Sequence, residues 1–129
     1  MAADNRYQQG LVSIITPVFK AEKMIEQTIR SVQAQTYKDW EMLLIDDCSP
    51  DHSGEIIQKM AETDARIKYH RLSHNSGAAV ARNTAIEHAQ GAYLAFLDSD
   101  DLWTPTKLER QLAFMAEKGC AFSYTRIQM

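Results

Sequence analysis

One stretch of the sequence decides the fold: it reads Gly91-Ala92-Tyr93-Leu94-Ala95-Phe96-Leu97-Asp98-Ser99-Asp100-Asp101-Leu102-Trp103. Its part from Ala92 to Leu97 is an apolar run, which is typical of a strand buried on both faces of a parallel sheet. Three carboxylates follow that run within four residues. Open α/β sheets bind ligands beyond the carboxyl ends of their strands. The stretch therefore predicts both an architecture and the place of a site.

The acidic turn, defined here as Asp98 to Asp101, has two interpretations. Carboxylates this close repel one another and lose hydration if they are buried, so they favour a positive partner. A divalent cation is the economical partner, because hard oxygen ligands suit Mg²⁺ or Mn²⁺. The alternative is a solvated acidic turn that caps the next helix. Spacing alone favours neither interpretation, because a short motif needs its structural context.

Around this stretch, apolar strand-like runs alternate with amphipathic segments. The pattern predicts strands at residues 11–18, 40–45, 67–72, 92–97 and from 120, and helices at 22–35, 53–62, 78–90 and 105–118. Such alternation indicates an α/β fold, a doubly wound and mostly parallel sheet with helices on both faces. The sheet should wind outward from the first strand, with the third strand nearer an edge.

Single residues predict local features of these elements. We expect the first strand to end or bulge at Pro17, because proline cannot donate to a ladder. Gly91 should lie just past the end of the third helix, where a glycine commonly terminates a helix. The last helix should turn four apolar side chains inward: Leu108, Leu112, Phe114 and Met115.

Composition excludes several classes of protein. The chain has 129 residues and a formal net charge of −3, which suits one soluble domain without a basic surface for nucleic acid. No apolar run approaches the roughly 20 residues that span a bilayer. Met1 to Gly10 lacks the apolar core of a secretory signal. Cys48 and Cys120 lack metal-ligand spacing and predict two reduced thiols in a cytoplasmic protein.

The domain boundaries are predicted from the same patterns. Residues 1–10 are expected to form a flexible leader, and residues 11–129 to form one domain. Residues 126–129 carry no cap, tail or turn signature, so we expect the domain to continue beyond Met129. A sheet truncated there would expose an unpaired edge, which favours a homodimer.

Known nucleotide-binding motifs narrow the choice of ligand. A nicotinamide site needs a glycine-rich turn after the first strand, and the residues from Thr16 to Ala21 contain no glycine. No phosphate-binding GxxxxGK loop occurs either. A receiver domain would need acids after the first strand and a phosphoacceptor aspartate after the third, which this chain lacks. A diphosphate held by a metal ion remains.

Six short motifs, in this order and spacing, resemble family-two glycosyltransferases. They are Thr16-Pro17-Val18-Phe19, Ser31-Val32-Gln33-Ala34-Gln35-Thr36-Tyr37, Ile45-Asp46-Asp47-Cys48-Ser49, Asn75-Ser76-Gly77, Ala81-Arg82-Asn83 and Phe96-Leu97-Asp98-Ser99-Asp100-Asp101. The resemblance extends from Leu11 to Tyr124. It implies the nucleotide-diphospho-sugar transferase fold of the A type, with this chain as its N-terminal, nucleotide-binding half.

Within this resemblance, Asp98-Ser99-Asp100 is similar to the DXD motif of the family. The resemblance implies that Asp100 ligates a Mn²⁺ or Mg²⁺ ion on the diphosphate. It also implies that Asp98 contacts hydroxyls of the ribose or the sugar. Asp101 is implied to be a further acid near the ion, or to cap the turn.

The other donor-binding residues are implied in the same way. Asp47 is similar to the acid that hydrogen-bonds the uracil ring in the family, and Thr16 and Pro17 would line the base pocket. Arg82 resembles the basic residue near the base and the diphosphate, and a guanidinium suits both phosphate and planar stacking. An ion pair of Arg82 with Asp47 or Asp98 is the structural alternative.

The implied reaction moves a sugar from a nucleotide-diphosphate donor, by family tendency a UDP-sugar, to a hydroxyl of a glycan or lipid-linked acceptor. Configuration inverts, and the setting is polysaccharide biosynthesis in the cytoplasm or at the inner membrane face. The general base is expected beyond Met129, so this chain should bind donor but transfer little or no sugar. Two alternatives are a sugar-nucleotide nucleotidyltransferase and a non-catalytic nucleotide-binding module. Nucleotidyltransferases usually carry a basic, glycine-rich loop after the first strand, and Lys20 alone is a poor substitute for it.

Overall fold

The computed structural model describes the backbone of residues 8–117 and 126–127. Strands and helices alternate along this part of the chain, as the apolar pattern predicts. The elements are β1 (Gln8–Val18), α1 (Ile25–Gln33), β2 (Trp40–Asp46), α2 (Ser53–Ala61), β3 (Ile67–Arg71), α3 (Ala78–His88), β4 (Gly91–Phe96), α4 (Lys107–Glu117) and β5 (Arg126–Ile127).

The strands form one sheet in the order β3-β2-β1-β4-β5, and every neighbouring pair is parallel. β1 lies at the centre, so the chain winds outward from it first toward β3 and then toward β5. β3 is an edge strand. The predicted α/β class, the parallel doubly wound sheet and the placement of the third strand at an edge are confirmed.

Each face of the sheet carries its own hydrophobic core. On one face, Ile25 and Ile29 of α1, Ile57 of α2 and Leu108 of α4 are fully buried. On the other face, α3 packs with Ala81 against Leu43 and other strand residues, and small side chains on this helix permit a close approach. All of β2 is buried, which explains its almost continuous apolar sequence.

Pro17 does not end or bulge β1, because the strand runs on to Val18. Val18 accepts a hydrogen bond from the Asp47 N–H on the β2 side at 2.8 Å, so Pro17 faces the β4 side. There the last contact is the Leu97 N–H to the Ile15 carbonyl, at 3.1 Å. Within the part of the chain that the structure describes, no strand lies opposite Pro17 on that side, so its missing N–H costs the sheet nothing.

Gly91 is not the terminator of α3; it is the first residue of β4, and α3 already ends at His88. Its N–H donates to Ser13 Oγ at 2.9 Å. A Cβ at this position would lie 2.4 Å from the Leu11 carbonyl oxygen. Gly91 is therefore required by the close approach of β4 to β1.

Two further boundaries differ from the sequence prediction. Gln8 to Gly10, assigned to the flexible leader, belong to β1. Phe114 is 53% exposed whereas Leu108 is fully buried, because at 3.6 residues per turn Phe114 lies about 120° around α4 from Leu108. The side chain of Met115 and the strand predicted from Cys120 lie outside the described residues.

Candidate functional site

A cavity of about 710 Å³ lies at the carboxyl ends of β1, β2 and β4. Five of the residues predicted from the sequence line it: Pro17, Asp47, Arg82, Asp98 and Asp100. They come from widely separated parts of the chain and meet because parallel strands end at one edge of the sheet. The position is the switch point at which the winding direction reverses, where open α/β sheets bind their ligands.

Thr16 is the predicted site residue that the structure does not bring to this cavity. Its side chain is fully buried and lies on the same face of β1 as Ile14 and Val18, which belong to the core under α1. Side chains alternate between the two faces of a strand, so Thr16 and Pro17 point in opposite directions. The Thr16 hydroxyl has no hydrogen-bond partner among the described residues.

The acidic turn projects from the end of β4 into solvent. One carboxylate oxygen each from Asp98, Asp100 and Asp101 can be chosen so that all lie within 4.8 Å of one another, and all three residues are exposed. The Asp101 N–H donates to the Asp98 carbonyl at 3.1 Å and closes the turn. The donor set is all oxygen and accessible to water, which fits Mg²⁺ or Mn²⁺ shared with the phosphates of a ligand.

The turn is tied to α1 by polar contacts that the sequence reasoning missed. Thr28 Oγ1 donates to the Ser99 carbonyl at 2.9 Å, and Ser31 Oγ accepts from the Trp103 N–H at 3.2 Å. Thr28 is fully buried. The available signal was the spacing of polar residues 28, 31 and 35, which places them on one side of a helix.

Asp47 lies in the cavity wall and is only 4% exposed. Its carboxylate accepts hydrogen bonds from the Ser76 N–H at 2.7 Å, the Gly77 N–H at 2.9 Å and the Asn75 amide at 3.1 Å. These groups precede α3, where a negative charge is favoured by the helix dipole. Gly77 has a φ of +99°, which L side chains rarely adopt. Asp47 therefore fixes the loop before α3 as well as bordering the cavity.

Asp46, the other acid at the end of β2, is fully buried and is not among the residues that line the cavity. It accepts hydrogen bonds from the Ser49 N–H at 2.8 Å and the Tyr69 hydroxyl at 2.5 Å, with Arg71 at 3.4 Å. Burial, followed by the hydrogen bond to Asp46, raises the pKa of Tyr69 to about 12. The Asp46 carboxylate is committed to joining β2 to β3 and to holding the turn between β2 and α2.

Arg82 projects from α3 into the cavity and lies near the acidic turn. Its Nη2 is 3.9 Å from Asp98 Oδ1, and the two side chains are 41% and 62% exposed. The ion pair weighed from the sequence is thus present with Asp98. An exposed pair at this distance stabilises little, so the guanidinium remains accessible to an anionic ligand.

The wall opposite α3 comes from the segment between β1 and α1, which the sequence reasoning left without a role. It contributes Phe19, Lys20, Glu22 and Lys23 to the cavity. Lys20 has a φ of +54° and its N–H donates to Ser49 Oγ at 3.1 Å. Glu22 accepts from the His52 N–H at 2.8 Å, and this contact and the His52 ring hold the pKa of Glu22 below its usual range. The segment is therefore anchored to the start of α2.

Among the helices described, none is both long and apolar enough to cross a lipid bilayer.

Comparison with known sequences gives a consistent result. The sequence model of glycosyl transferase family 2 matches residues 13–129. TuaG of Bacillus subtilis (strain 168), a glycosyltransferase assigned to teichuronic acid biosynthesis, is 55% identical over 115 residues, which are 89% of this chain and 46% of TuaG. WfgD of Escherichia coli, a UDP-Glc:α-D-GlcNAc-diphosphoundecaprenol β-1,3-glucosyltransferase, is 45% identical over 114 residues, 88% of this chain and 44% of WfgD. The chain spans less than half the length of these relatives.

Solved structures with the same fold include two nucleotide complexes. TarS 1–349 of S. aureus in complex with UDP superposes with a TM-score of 0.77 and 32% identity, covering 82% of this chain and 32% of TarS 1–349. The mannosyltransferase PcManGT of Pyrobaculum calidifontis was solved in complex with GDP-Man and Mn²⁺. It superposes with a TM-score of 0.74 and 26% identity, covering 81% of this chain and 32% of PcManGT.

Proposed function

The chain belongs to glycosyl transferase family 2, and on that premise we propose that it is the donor-binding part of an enzyme that transfers a sugar from a nucleotide-diphosphate donor to an acceptor hydroxyl. Family membership confirms the resemblance drawn from the six motifs. The transfer activity is a proposal for the whole protein, since the chain matches less than half of its relatives' length.

The observation that carries the proposal is the meeting of Asp47, Arg82, Asp98 and Asp100 around one cavity at the switch point of the sheet. A cavity of about 710 Å³ is within the range that small-molecule and cofactor sites occupy. Its lining combines carboxylates, a guanidinium and an apolar side chain at Pro17. This combination suits a ligand with a base, a ribose and a diphosphate.

Each residue then has a role in holding the donor. Pro17 borders the base, and Asp47 lies where a carboxylate can accept a hydrogen bond from the base ring. Asp98 accepts from hydroxyls of the ribose or sugar, and Arg82 binds the diphosphate through its guanidinium. Asp100 ligates Mn²⁺ or Mg²⁺.

The cation supplies charge neutralisation for the departing diphosphate, where negative charge grows in the transition state. The acceptor hydroxyl attacks the anomeric carbon from the opposite face, so configuration inverts. This attack needs a general base, which we assign to a segment beyond Met129. Donor binding without appreciable sugar transfer is the expected behaviour of these 129 residues alone.

The substrates are proposed from the relatives. UDP-sugar is the favoured donor, because WfgD uses UDP-Glc by name and TarS was solved with UDP. A lipid-linked acceptor is favoured because the name of WfgD includes diphosphoundecaprenol, and the name of TuaG points to a cell-surface polysaccharide. The protein would act in the cytoplasm, at the inner membrane face. A homodimer through a sheet edge remains a prediction.

Thermal shift and calorimetry with UDP, Mn²⁺ and the two together test this proposal. A ligand that binds only the folded state at 100 times its dissociation constant stabilises it by about 2.7 kcal/mol. We expect a larger shift with UDP and Mn²⁺ together than with either alone, and its loss in Asp100→Ala. Glu87→Ala removes another exposed carboxylate, from the end of α3, and should retain the shift.

Two results would contradict the proposal. The absence of any shift with UDP or GDP, in the presence or absence of Mn²⁺, would favour a module that kept the fold without its ligand. Robust sugar transfer by the chain alone, measured with a radiolabelled donor, would place a general base within these residues.

A further inference from the structure

Thr28 of α1 contacts the acidic turn at Ser99, and we propose that it is a positioning residue for the cation site. In this inference the Thr28 hydroxyl fixes the backbone between Asp98 and Asp100, so that the two carboxylates face one ion. The inference rests on the proposed function, in which this turn holds Mn²⁺ or Mg²⁺.

The contact sits at the centre of the turn. Thr28 is fully buried, and its Oγ1 donates to the Ser99 carbonyl at 2.9 Å. Ser99 is half-buried, whereas Asp98, Asp100 and Asp101 on either side of it are exposed. The carbonyl of Ser99 is therefore a point at which the exposed turn is attached to the body of the protein.

The attachment continues along α1 and into the residues just after its end. Ser31 Oγ accepts from the Trp103 N–H at 3.2 Å. The fully buried Gln35 donates to the Thr104 carbonyl at 2.6 Å and accepts from the Leu108 N–H at 3.0 Å. Thr28 and Ser31 lie on one side of α1, and Gln35 follows two residues after its end. Three polar side chains thus hold the chain from the acidic turn to the start of α4.

The acidic turn needs such an attachment because repulsion between its carboxylates disfavours its compact conformation. Oxygens of three carboxylates can lie within 4.8 Å of one another, and like charges at this range repel. Leu102 is 47% exposed, so it provides little packing for this segment. A cation is bound more tightly when its ligands are already held together by hydrogen bonds from the surrounding residues.

Packing alone does not require a hydroxyl at position 28. Valine has almost the shape of threonine, and it would fit the apolar surroundings of α1 without a polar atom to satisfy. The substitution Thr28→Val therefore removes the donor to Ser99 while it preserves the volume of the side chain. Ser99 is half-buried, so water can reach its carbonyl once the hydroxyl is gone.

The test compares Thr28→Val with the wild type and with Thr28→Ser, which keeps the hydroxyl. The two quantities are the dissociation constant of Mn²⁺ at saturating UDP and that of UDP without metal, both by calorimetry. We expect Thr28→Val to weaken Mn²⁺ binding roughly 10-fold, the scale for residues that support metal ligands, with metal-free UDP binding unchanged. Thr28→Ser should recover most of the loss.

Thr84→Val is the matched control, because the Thr84 hydroxyl donates to the Val80 carbonyl within its own helix, at 2.8 Å. It should leave both constants unchanged. If Thr28→Val does not fold, Ser31→Ala takes its place. It removes the hydroxyl that accepts from the Trp103 N–H and donates to the Thr28 carbonyl, but it keeps the bond from Thr28 to Ser99, so a smaller loss of Mn²⁺ affinity is expected.

The outcomes separate this inference from the proposed function. Wild-type Mn²⁺ affinity in Thr28→Val, or in Ser31→Ala where that variant replaces it, would overturn the positioning role. An equal loss of metal-free UDP affinity would also overturn it, because that pattern indicates general loosening. In both cases a loss of metal-dependent binding in Asp100→Ala would still support the proposed function. If the wild type shows no metal-dependent binding of UDP, both fail together.

Discussion

The acids after β2 and the acids after β4 occupy equivalent places in the fold, yet the protein uses them differently. Asp46 and Asp47 are 0% and 4% exposed, and their carboxylates accept hydrogen bonds from loops and from β3. The carboxylates of the acidic turn are exposed. The first pair holds the loops and strands beside the cavity, which only Asp47 borders, whereas the carboxylates of the second set lie open to solvent.

The difference teaches that acids at the end of a strand can serve either the structure, when they are buried and hydrogen-bonded, or a ligand, when they are exposed. A buried carboxylate is tolerated only when hydrogen bonds replace its lost hydration. Its removal therefore leaves buried donors unsatisfied. Exposed carboxylates keep their hydration and repel one another, so their removal costs the fold little. Stability and ligand affinity should respond in opposite ways to substitutions in the two regions.

The largest effect on stability is expected for Asp46→Ala. The substitution leaves the Ser49 N–H and the Tyr69 hydroxyl without their acceptor. We expect a loss of about 3 kcal/mol in the free energy of unfolding, the scale for removing a hydrogen-bonded buried charge. Urea denaturation measures it, with Asp100→Ala as the matched exposed variant. Equal urea midpoints for Asp46→Ala and Asp100→Ala would contradict the distinction between buried and exposed acids.

A smaller effect is expected for Tyr69→Phe, which removes one donor and leaves the Ser49 N–H and Arg71 on Asp46. At neutral pH we expect a loss of about 1–2 kcal/mol in the free energy of unfolding, measured by urea denaturation. Tyr93→Phe is the matched control, because it removes a hydroxyl from a half-buried tyrosine of β4 and measures the generic cost. Equal losses in the two variants would mean that the bond to Asp46 adds nothing to stability.

The same tyrosine predicts a dependence on alkaline pH. Its pKa is raised from 10.0 to about 12 in the folded protein. A raised folded pKa gives stability that is present below the unfolded value and lost as pH rises through the folded value. Unfolding followed from about pH 10 to 12 should show a decline that is shallower in Tyr69→Phe. Parallel curves would show that this hydroxyl does not couple to folding.

The smallest effect is expected for Asp101→Asn. The side chain is exposed and lies beside two other carboxylates, so the change should alter the free energy of unfolding by less than about 0.5 kcal/mol. The direction should be stabilising at low ionic strength and should fade as salt screens the repulsion. Urea denaturation at low and high salt measures both. A clear destabilisation would mean that the turn depends on this carboxylate for its structure.

Much of the fold was predictable because the spacing of apolar residues and the turn-forming residues between elements are local features of the sequence. Alternation of buried strands with amphipathic helices determined the winding of the sheet, and it brought the ends of β1, β2 and β4 together. The location of the cavity followed from that winding. The boundary errors at Pro17 and Gly91 arose because each depends on what lies beside it in the sheet, which is a property of distant residues.

The inner arrangement of the site was harder to predict for the same reason. Nothing in the pair Asp46-Asp47 tells which carboxylate turns toward Tyr69 and which toward the loop at Asn75. Thr16 and Pro17 are neighbours in the chain, but only strand alternation in the finished sheet sends one into the core. The hydrogen bond from Thr28 to Ser99 joins residues 71 positions apart.

The absence of a side chain at Gly91 has a consequence at the far end of its strand. β4 is six residues long, from Gly91 to Phe96, and only Leu97 separates it from the acidic turn, so an added methyl that pushed the strand away from Leu11 would also displace the carboxylates. The separation between Gly91 and Leu11 at the start of β4 thus helps to set the position of the aspartates that follow its other end.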